Sequence, residues 1–394
     1  MFRVWNIVDS GLAQWSAGHH YWESKALADE LISRGADVRL FTDKNAPVGR
    51  FPGARVYPTF SLNFYDSVSD DSSWGLLENF VVHNRSFQHD LSQAERSLFH
   101  GSLTLFPTLS QRQFLATIRW LADFQDVARP KSVMTLVPLL NWSVAPLSAR
   151  GYRTVWADCP QAVKKNLALT VRTAEVADQF HQLLGVRPHV LPSPLAAHRR
   201  RRQIAANASA PPPGPMVVSF LAGARRERGA MCIPDVVKLC LPLAIRFFIQ
   251  AQSELEPEVQ PRLTALRGLP NVELHEGVLE PDAYHDAIAR SIVLIPYLPD
   301  QYRWRSSGVY VEAKSLGAPV IVSAGSWIAE EVKSLGNGLV FEEYTPAAIA
   351  GCIAQAQQEI GKLRERAAAC AREFSAKNGP DRCVDAIESL FAND

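Results

Sequence analysis

The chain has 394 residues, of which 47% are hydrophobic and 21% are charged, and its net charge at pH 7 is +1. This length predicts two domains of about 150 to 200 residues each, and the near-neutral charge excludes the strong positive field by which proteins attract nucleic acids. The six cysteines are scattered and form no CxxC pair. They predict reduced, mostly buried thiols rather than a metal site or a disulfide framework.

The sequence contains no run of about 18 apolar residues, the length that spans a bilayer. The most apolar stretch, Cys240 to Ile249, is interrupted by Arg246. The first residues lack the apolar core and the cleavage site of a signal peptide. We therefore expect a cytoplasmic protein, with peripheral contact at the inner face of a membrane left open.

The first 42 residues predict a strand, a loop, a helix and a second strand. Phe2 to Val8 is β-rich, and Ser10 to Gly18 is a loop of small residues. Tyr21 to Ser33 has helical spacing and Gly35 follows it, while Val38 to Thr42 reads as the next strand. This βαβ unit indicates a parallel sheet.

The middle of the chain is less regular. Pro47 to Trp120 is rich in aromatic residues and histidines. It predicts either an insertion that shapes a substrate pocket or a helical decoration with an aromatic core. We expect a strand over Thr154 to Ala157 and another that ends near Arg172, which either reaches the ligand site or lies on the surface. Pro192 to Pro215 reads as a linker, and its arginine run, Arg199 to Arg202, favours a solvated charge cluster over an anion-binding site.

The second half opens with an apolar strand that begins at Met216 and ends at Gly223, after which helix and strand signals alternate. Its most informative segment is SSGVYVEAKSLGAPVIV, which starts at Ser306. A small-residue turn there leads into a helix that carries Glu312 and ends at Gly317. A helix N-terminus binds phosphate, and a carboxylate one turn further along accepts hydrogen bonds from sugar hydroxyls. The segment therefore predicts a site for a nucleotide-sugar.

Three segments of the second half, FLAGARRERGA, NVELHEGVLEPDAYHDAIARSIVLIPY and SSGVYVEAKSLGAPVIV, resemble the GT-B glycosyltransferases, in particular the retaining family-4 type. The resemblance covers about residues 216–333 and is weaker over residues 1–42. It implies an α/β fold of two Rossmann-like parallel-sheet domains that face a cleft. The expected domains are residues 1–195, completed by a C-terminal helix that crosses back over 378–394, and residues 216–377, with 196–215 as the linker.

The resemblance also implies which residues hold the donor. The turn after the first strand of the second domain would bind the diphosphate, the next segment would line the base pocket, and the last would hold the phosphates and the ribose. These residues are Gly223 and Arg226, then Glu276, Gly277 and Val278, then Ser306, Ser307, Gly308, Val309 and Glu312, with Gly18 in the loop of the first domain. The alternatives are a basic surface loop, an ordinary strand-turn-helix and a solvated helix carboxylate.

The expected catalytic residues come from both halves. Arg225 and Arg228 would stabilise the leaving diphosphate, as the resemblance implies. His19 and His20 start the helix after the glycine loop, where each is either a functional group or an ordinary helix-start residue. Asp158 takes the place of a histidine that the family has after a mid-domain strand.

One departure from the family concerns the donor sugar. The family has two glutamates with seven residues between them, and the position of the first is Trp304 in this chain. The family uses that glutamate to contact the donor sugar. The local sequence Tyr302-Arg303-Trp304-Arg305 leaves an arginine contact or an aromatic sugar platform as a replacement.

The resemblance, together with these residues, implies a metal-independent, retaining hexosyltransferase that uses a UDP- or GDP-linked sugar and no cofactor. The acceptor is left open between a glycan, a lipid-linked sugar, a protein and a small molecule, in bacterial-type glycan biosynthesis. The alternatives are a degenerate transferase that acts as a binding or scaffold subunit and a GT-B nucleotide-sugar epimerase. A dinucleotide-dependent dehydrogenase is disfavoured because neither glycine loop reads GxGxxG.

Overall fold

The computed structural model describes residues 2–13, 19–46, 48–69, 73–137, 145–195, 214–221, 223–251, 256–303, 305 and 307–392. The chain packs as two units. Met1–Pro194 together with Gly379–Asp394 forms the first unit, and Leu195–Asn378 forms the second. In the described part of the chain each unit is built on one parallel sheet flanked by helices, which confirms the predicted α/β class with two parallel-sheet domains.

The first unit contains a seven-stranded sheet in the order β3-β2-β1-β4-β5-β6-β7. Its strands are β1 (Val4–Asp9), β2 (Asp37–Asp43), β3 (Arg55–Phe60), β4 (Leu103–Leu109), β5 (Lys131–Leu136), β6 (Leu167–Val171) and β7 (His189–Val190). Its helices are α1 (His19–Ser33), α2 (Ser73–Gln93), α3 (Gln111–Ala122), α4 (Ala145–Ala157), α5 (Gln161–Lys164) and α6 (Ala174–Leu184). Central strand β1 is buried from Trp5 to Asp9, as expected for a parallel strand that is covered on both faces.

The second unit contains a six-stranded sheet in the order β10-β9-β8-β11-β12-β13. Its strands are β8 (Met216–Phe220), β9 (Ile245–Ala251), β10 (Val272–Glu276), β11 (Ile292–Ile295), β12 (Val320–Ser323) and β13 (Gly338–Phe341). Its helices are α7 (Ile233–Leu239), α8 (Gln260–Thr264), α9 (Pro281–Arg290), α10 (Pro299–Tyr302), α11 (Gly308–Leu316), α12 (Trp327–Leu335), α13 (Pro346–Gln358) and α14 (Ile360–Lys377).

The last helix, α15 (Pro380–Ser389), packs against α1 in the first unit. The Arg34 guanidinium lies 2.6 Å from the Asp385 carboxylate, and the Phe2 amide donates to Glu388 Oε1 at 3.2 Å. Arg172, at the end of β6, forms a 2.6 Å ion pair with Glu23 of α1 and donates to the Pro192 carbonyl. Arg172 therefore joins elements of the first unit to one another.

For the middle of the chain, the structure favours the alternative with an aromatic core and corrects one expected strand. Residues 47–120 contain the regular elements β3, α2, β4 and α3, and their aromatic rings form a core, as in the stacked Phe60 and Phe87 rings 4.6 Å apart. The strand expected over Thr154 to Ala157 is wrong, because these residues form the last turn of α4. Tyr152 and Trp156 are four residues apart and both buried, so their helical spacing on one face outweighs the short β-branched run. Among the described residues, no helix combines the length and the apolar character needed to cross a membrane.

Candidate functional site

The order of the strands locates a candidate site in each unit. In the first sheet the order reverses direction between β1 and β4, and in the second between β8 and β11. Ligands of open parallel sheets bind beyond the carboxyl ends of the strands at such reversal points. The residues that follow β1 and β8 are therefore the first candidates for binding and chemistry.

In the first unit, β1 ends in a buried carboxylate that has several hydrogen-bond donors. Asp9 is 1% exposed, and its carboxylate accepts from the Gly11 amide at 2.9 Å and from the Ser24 hydroxyl at 3.2 Å. His20 Nδ1 lies 2.7 Å from Asp9 Oδ1. Asp9 Oδ1 therefore contacts both the Gly11 amide and the imidazole.

The His20 ring is also held by its neighbours. A Cβ atom on Gly11 would stand 2.4 Å from His20 Cε1, so only glycine leaves room for the ring there. The rings of Phe64 and Tyr65 lie 5.0 Å and 5.3 Å from the imidazole centroid. The structure thus brings His20 to the carboxyl end of β1 in a fixed orientation. His19 is the first residue of α1, and Gly18 lies outside the described residues.

Asp158 does not join this group. It is exposed and directly follows the C-terminus of α4, with its amide bonded to the Thr154 carbonyl at 3.1 Å. A helix that connects parallel strands runs back along the sheet, so its C-terminus lies at the edge opposite the carboxyl ends of the strands. The reason for linking Asp158 to catalysis, a preceding mid-domain strand, is therefore absent.

In the second unit, the turn after β8 is shaped by glycines. Gly223 and Gly229 have φ angles of +62° and +83°. A Cβ atom on Gly229 would stand 2.1 Å from the Pro296 carbonyl oxygen and 2.7 Å from Tyr344 Oη. Glycine at position 229 therefore allows the turn, which includes Arg228, to lie directly against the end of β11.

The arginines of this turn differ in their surroundings. Arg225 and Arg226 are exposed, and Arg226 forms a 3.2 Å surface ion pair with Glu258. Arg228 is half-buried, and its Nε donates to Tyr302 Oη at 3.3 Å. Burial lowers the pKa of Arg228, but Tyr297 and Tyr302 more than offset this, so the pKa is raised above its usual value. Arg228 is therefore a permanent cation anchored at the sheet edge.

The same tyrosines connect Arg228 to the start of α11. The rings of Tyr297 and Tyr302 lie 4.0 Å apart. Ser307 donates to Tyr297 Oη at 3.3 Å and accepts from the Tyr310 amide at 3.2 Å, as an N-cap residue does. Burial raises the pKa of Tyr297 to about 12, so its hydroxyl keeps its proton at neutral pH.

The first turn of α11 completes the arrangement. Gly308 and Val309 are its first two residues, and amides at these positions have no acceptor within the helix. Ser306 and Trp304 lie outside the described residues. A bound anion would be stabilised here by these amides together with the helix dipole.

Glu312 is 6% exposed, which argues against the alternative of a solvated helix residue. It lies on α11 close to Tyr284 of α9. Burial raises the pKa of Tyr284 well above its usual value, and the neighbouring Glu312 carboxylate, with which its hydroxyl forms a hydrogen bond, raises it further. The Tyr284 hydroxyl therefore stays protonated and donates to Glu312, which holds the carboxylate in place.

The segment expected to line a base pocket follows β10. The Gly277 amide donates to the Ala251 carbonyl at 2.8 Å, and its carbonyl accepts from Gln250 Nε2 at 3.1 Å. The Glu276 carboxylate is paired with Arg267. Val278 is 49% exposed and presents an apolar surface on which a flat base can pack.

Several residues of these groups were not predicted from the sequence. They are Asp9 in the first unit and Tyr284 and Tyr297 in the second. Asp9 carries a weak signal, since an acidic residue at the end of an apolar strand, two positions before a glycine, is unusual in a core. The tyrosines resemble ordinary core aromatics until the hydroxyl partners are seen.

Comparisons with known proteins give structural matches only. No protein-family model and no curated protein sequence matches the chain. Sucrose-phosphate synthase from Thermosynechococcus elongatus matches at 14% identity with a TM-score of 0.68, covering 100% of both chains. Anabaena HepE in complex with UDP and glucose matches at 14% identity with a TM-score of 0.62, also over 100% of both chains. WaaG, a glycosyltransferase involved in lipopolysaccharide biosynthesis, matches at 15% identity with a TM-score of 0.59. The match covers 99% of this chain and 100% of the WaaG chain. The chain therefore has the GT-B fold that these glycosyltransferases share.

Proposed function

We propose that the protein is a glycosyltransferase that moves a hexose from a nucleoside-diphosphate sugar to an acceptor hydroxyl. The observation that carries this proposal is the arrangement at the carboxyl edge of the second sheet. There Arg228 is anchored on Tyr302, the capped N-terminus of α11 follows Ser307, and Glu312 lies buried one turn further along. A cation, free amides and a carboxylate are the groups that recognise a diphosphate joined to a ribose.

In this proposal, the second unit binds the donor. Arg228 and Arg225, with the amides of Gly308 and Val309, stabilise the negative charge that develops on the leaving diphosphate. Glu312, held by Tyr284, accepts hydrogen bonds from the ribose hydroxyls. The exposed side chain of Val278 packs against the base. The complexes of HepE with UDP and with UDP-glucose support UDP as the first donor base to test.

The first unit, in the same proposal, orients the acceptor. Its Asp9–His20 pair lies at the carboxyl end of β1 and supplies a fixed polar group for an acceptor hydroxyl. We propose that this hydroxyl attacks from the face that the diphosphate leaves, and that the departing phosphate oxygen takes its proton. Retention of the anomeric configuration follows, and no metal ion is needed to neutralise the diphosphate. WaaG supports a glycan or a lipid-linked sugar as the first acceptors to test.

The test of donor binding is calorimetric titration of the purified protein with UDP, GDP and ADP, each also as the 2′-deoxy nucleotide. We expect UDP or GDP to bind with micromolar affinity and to raise the melting temperature, since a ligand that binds only the folded state stabilises it. Glu312→Gln should reduce the preference for ribose over deoxyribose about tenfold. Failure of all three nucleotides to bind would contradict the proposal.

The test of transfer uses UDP-glucose with a set of glycan and lipid-linked acceptors, and NMR of the product. We expect the product to keep the axial configuration that the anomeric carbon has in the donor. It should form at the same rate with and without EDTA. A new nucleotide-sugar formed without acceptor would indicate an epimerase instead. Tight donor binding without turnover of donor would indicate a binding or scaffold subunit.

A further inference from the structure

A second arginine of the second unit, Arg305, shares the tyrosine on which Arg228 is anchored. Its guanidinium carbon lies 5.0 Å from the centroid of the Tyr302 ring, in a cation–π position. Arg228 donates to the hydroxyl of the same tyrosine. Tyr302 is 2% exposed and packs on Tyr297, so it is a rigid support for both cations.

The backbone at position 305 is fixed by α12. The carbonyl of Arg305 accepts from Trp327 Nε1 at 2.6 Å, and the Trp327 amide donates to the Arg303 carbonyl at 3.3 Å. These two bonds hold the backbone around Arg305, which lies two residues before Ser307, the N-cap of α11.

The carboxylate that pairs with Arg305, that of Glu227, is weakly bound. Arg305 Nη1 lies 3.5 Å from Glu227 Oε1, and the two side chains are 26% and 30% exposed. A long, solvent-accessible ion pair contributes little free energy. A phosphate group, in contrast, forms short, often bidentate bonds with a guanidinium. The pair with Glu227 can therefore hold Arg305 ready for an incoming phosphate without competing strongly with it.

We propose that Arg305 is a further diphosphate-binding cation, which binds the donor together with Arg228 from the other side of Tyr302. This inference rests on the proposed function and adds a residue that lies outside the basic turn after β8. It also assigns a role to the segment in which Trp304 replaces a glutamate, because a cation that follows the substituted position extends the phosphate site. Tyr302 is a positioning residue for both arginines.

The test is calorimetric titration with UDP of the wild type, Arg305→Gln and Arg305→Lys. We expect Arg305→Gln to weaken UDP binding about 10- to 100-fold, because a charge-assisted hydrogen bond to phosphate is lost. Arg305→Lys keeps the charge but loses the planar guanidinium and its stacking on Tyr302. Its UDP affinity should therefore fall less than that of Arg305→Gln. Arg290→Gln is the matched control, since it removes one charge from an exposed residue at the C-terminus of α9, and it should bind as the wild type does.

Salt dependence separates a direct contact from a structural effect. Raising the salt concentration weakens ionic contacts, so UDP affinity should fall less steeply with salt in Arg305→Gln than in the wild type or in Arg290→Gln. Circular dichroism and melting temperature check the fold of each variant. Wild-type affinity and salt slope in Arg305→Gln would overturn the role of Arg305 alone. A wild type that binds neither UDP nor GDP would overturn the proposed function and this inference with it.

Discussion

The turns after β1 and β8 occupy equivalent places in their sheets, yet they hold opposite charges. After β1, a buried carboxylate, Asp9, fixes an imidazole. After β8, a buried tyrosine pair fixes the guanidinium of Arg228. In both turns one glycine is needed because a Cβ atom would collide with a neighbour: Gly11 with His20, and Gly229 with the Pro296 carbonyl.

This difference shows how one backbone plan can supply two kinds of chemistry. The parallel sheet determines only that the turn faces the ligand edge. The side chain that ends the strand, or that lies in the following turn, then decides which ligand group can bind. A carboxylate–imidazole pair suits a hydroxyl, and a guanidinium suits an anion. If the comparison is correct, substitutions in the turn after β8 should change donor binding, and those in the turn after β1 should change turnover.

The largest effect is expected for Arg228→Glu. The substitution removes a charge-assisted hydrogen bond and places a negative charge beside the diphosphate, so UDP affinity should fall by at least about 100-fold and transfer should be abolished. Calorimetry and a turnover assay measure this. Arg187→Glu is the control in the first unit, where the exposed arginine pairs with Asp178 at 2.8 Å, and it should leave UDP affinity unchanged. Full activity of Arg228→Glu in a folded protein would refute its assigned role.

The next effect is expected for Asp9→Asn. Asparagine keeps one oxygen that can accept from the Gly11 amide and from His20 Nδ1, but it loses the negative charge that strengthens the bond to the imidazole. Its NH2 group also replaces the oxygen that accepts from Ser24, so the imidazole is held less firmly. Turnover should fall about 10- to 100-fold, while UDP affinity stays within about twofold of the wild type. Asp29→Asn is the control on α1, where an exposed carboxylate pairs with Lys25. Equal losses of turnover and UDP affinity in Asp9→Asn would remove the distinction between the two turns.

A smaller effect is expected for Gly11→Ala. Its Cβ atom would stand 2.4 Å from His20 Cε1, so the ring must move, and we expect a destabilisation of about 1–3 kcal/mol. Gly351→Ala on α13 is the matched control, since no atom beyond its chain neighbours and its own helix backbone lies within 4 Å of its Cβ position. The control should stabilise its helix by about 0.5–1 kcal/mol. Denaturant unfolding measures both, and a neutral Gly11→Ala would show that the His20 position is not tightly held.

The smallest effect is a loss of stability in the first unit at low pH. Burial, followed by the charge of Arg112, lowers the pKa of His83 below its usual 6.5, although the Asp66 carbonyl acts in the opposite direction. The unfolded chain then takes up the proton more readily than the folded one, so the stability from neutral His83 is complete above about pH 6.5 and is lost as the pH falls below it. His83→Gln should weaken this decrease.

Hydrogen exchange of α2 peptides between pH 7.5 and pH 5, corrected for the intrinsic exchange rate, measures the His83 effect. Peptides of the second unit serve as the internal reference. An identical pH response of α2 in the wild type and in His83→Gln would contradict the prediction.

Sequence patterns predicted the local structure around Arg228 and Glu312 better than the contact between Asp9 and His20. The segments around Arg228 and Glu312 are contiguous, and the chemistry of each depends on a turn next to a helix N-terminus, which local spacing reveals. The Asp9–His20 pair joins residues 11 positions apart, and the strand expected before Asp158 proved to be helical because packing of Tyr152 and Trp156 outweighed the local β preference.

The sequence by itself determined the α/β class, the turn that presents Arg228 and the helix that carries Glu312, because hydrophobic period, glycine and helix capping act over a few residues. Only the tertiary structure decided which side chains meet. Tyr302 contacts Arg228, 74 positions away, and Tyr284 reaches Glu312, 28 positions away. Such contacts depend on the order in which the strands pair and on how their helices pack, and residue spacing along the chain carries no direct signal of either.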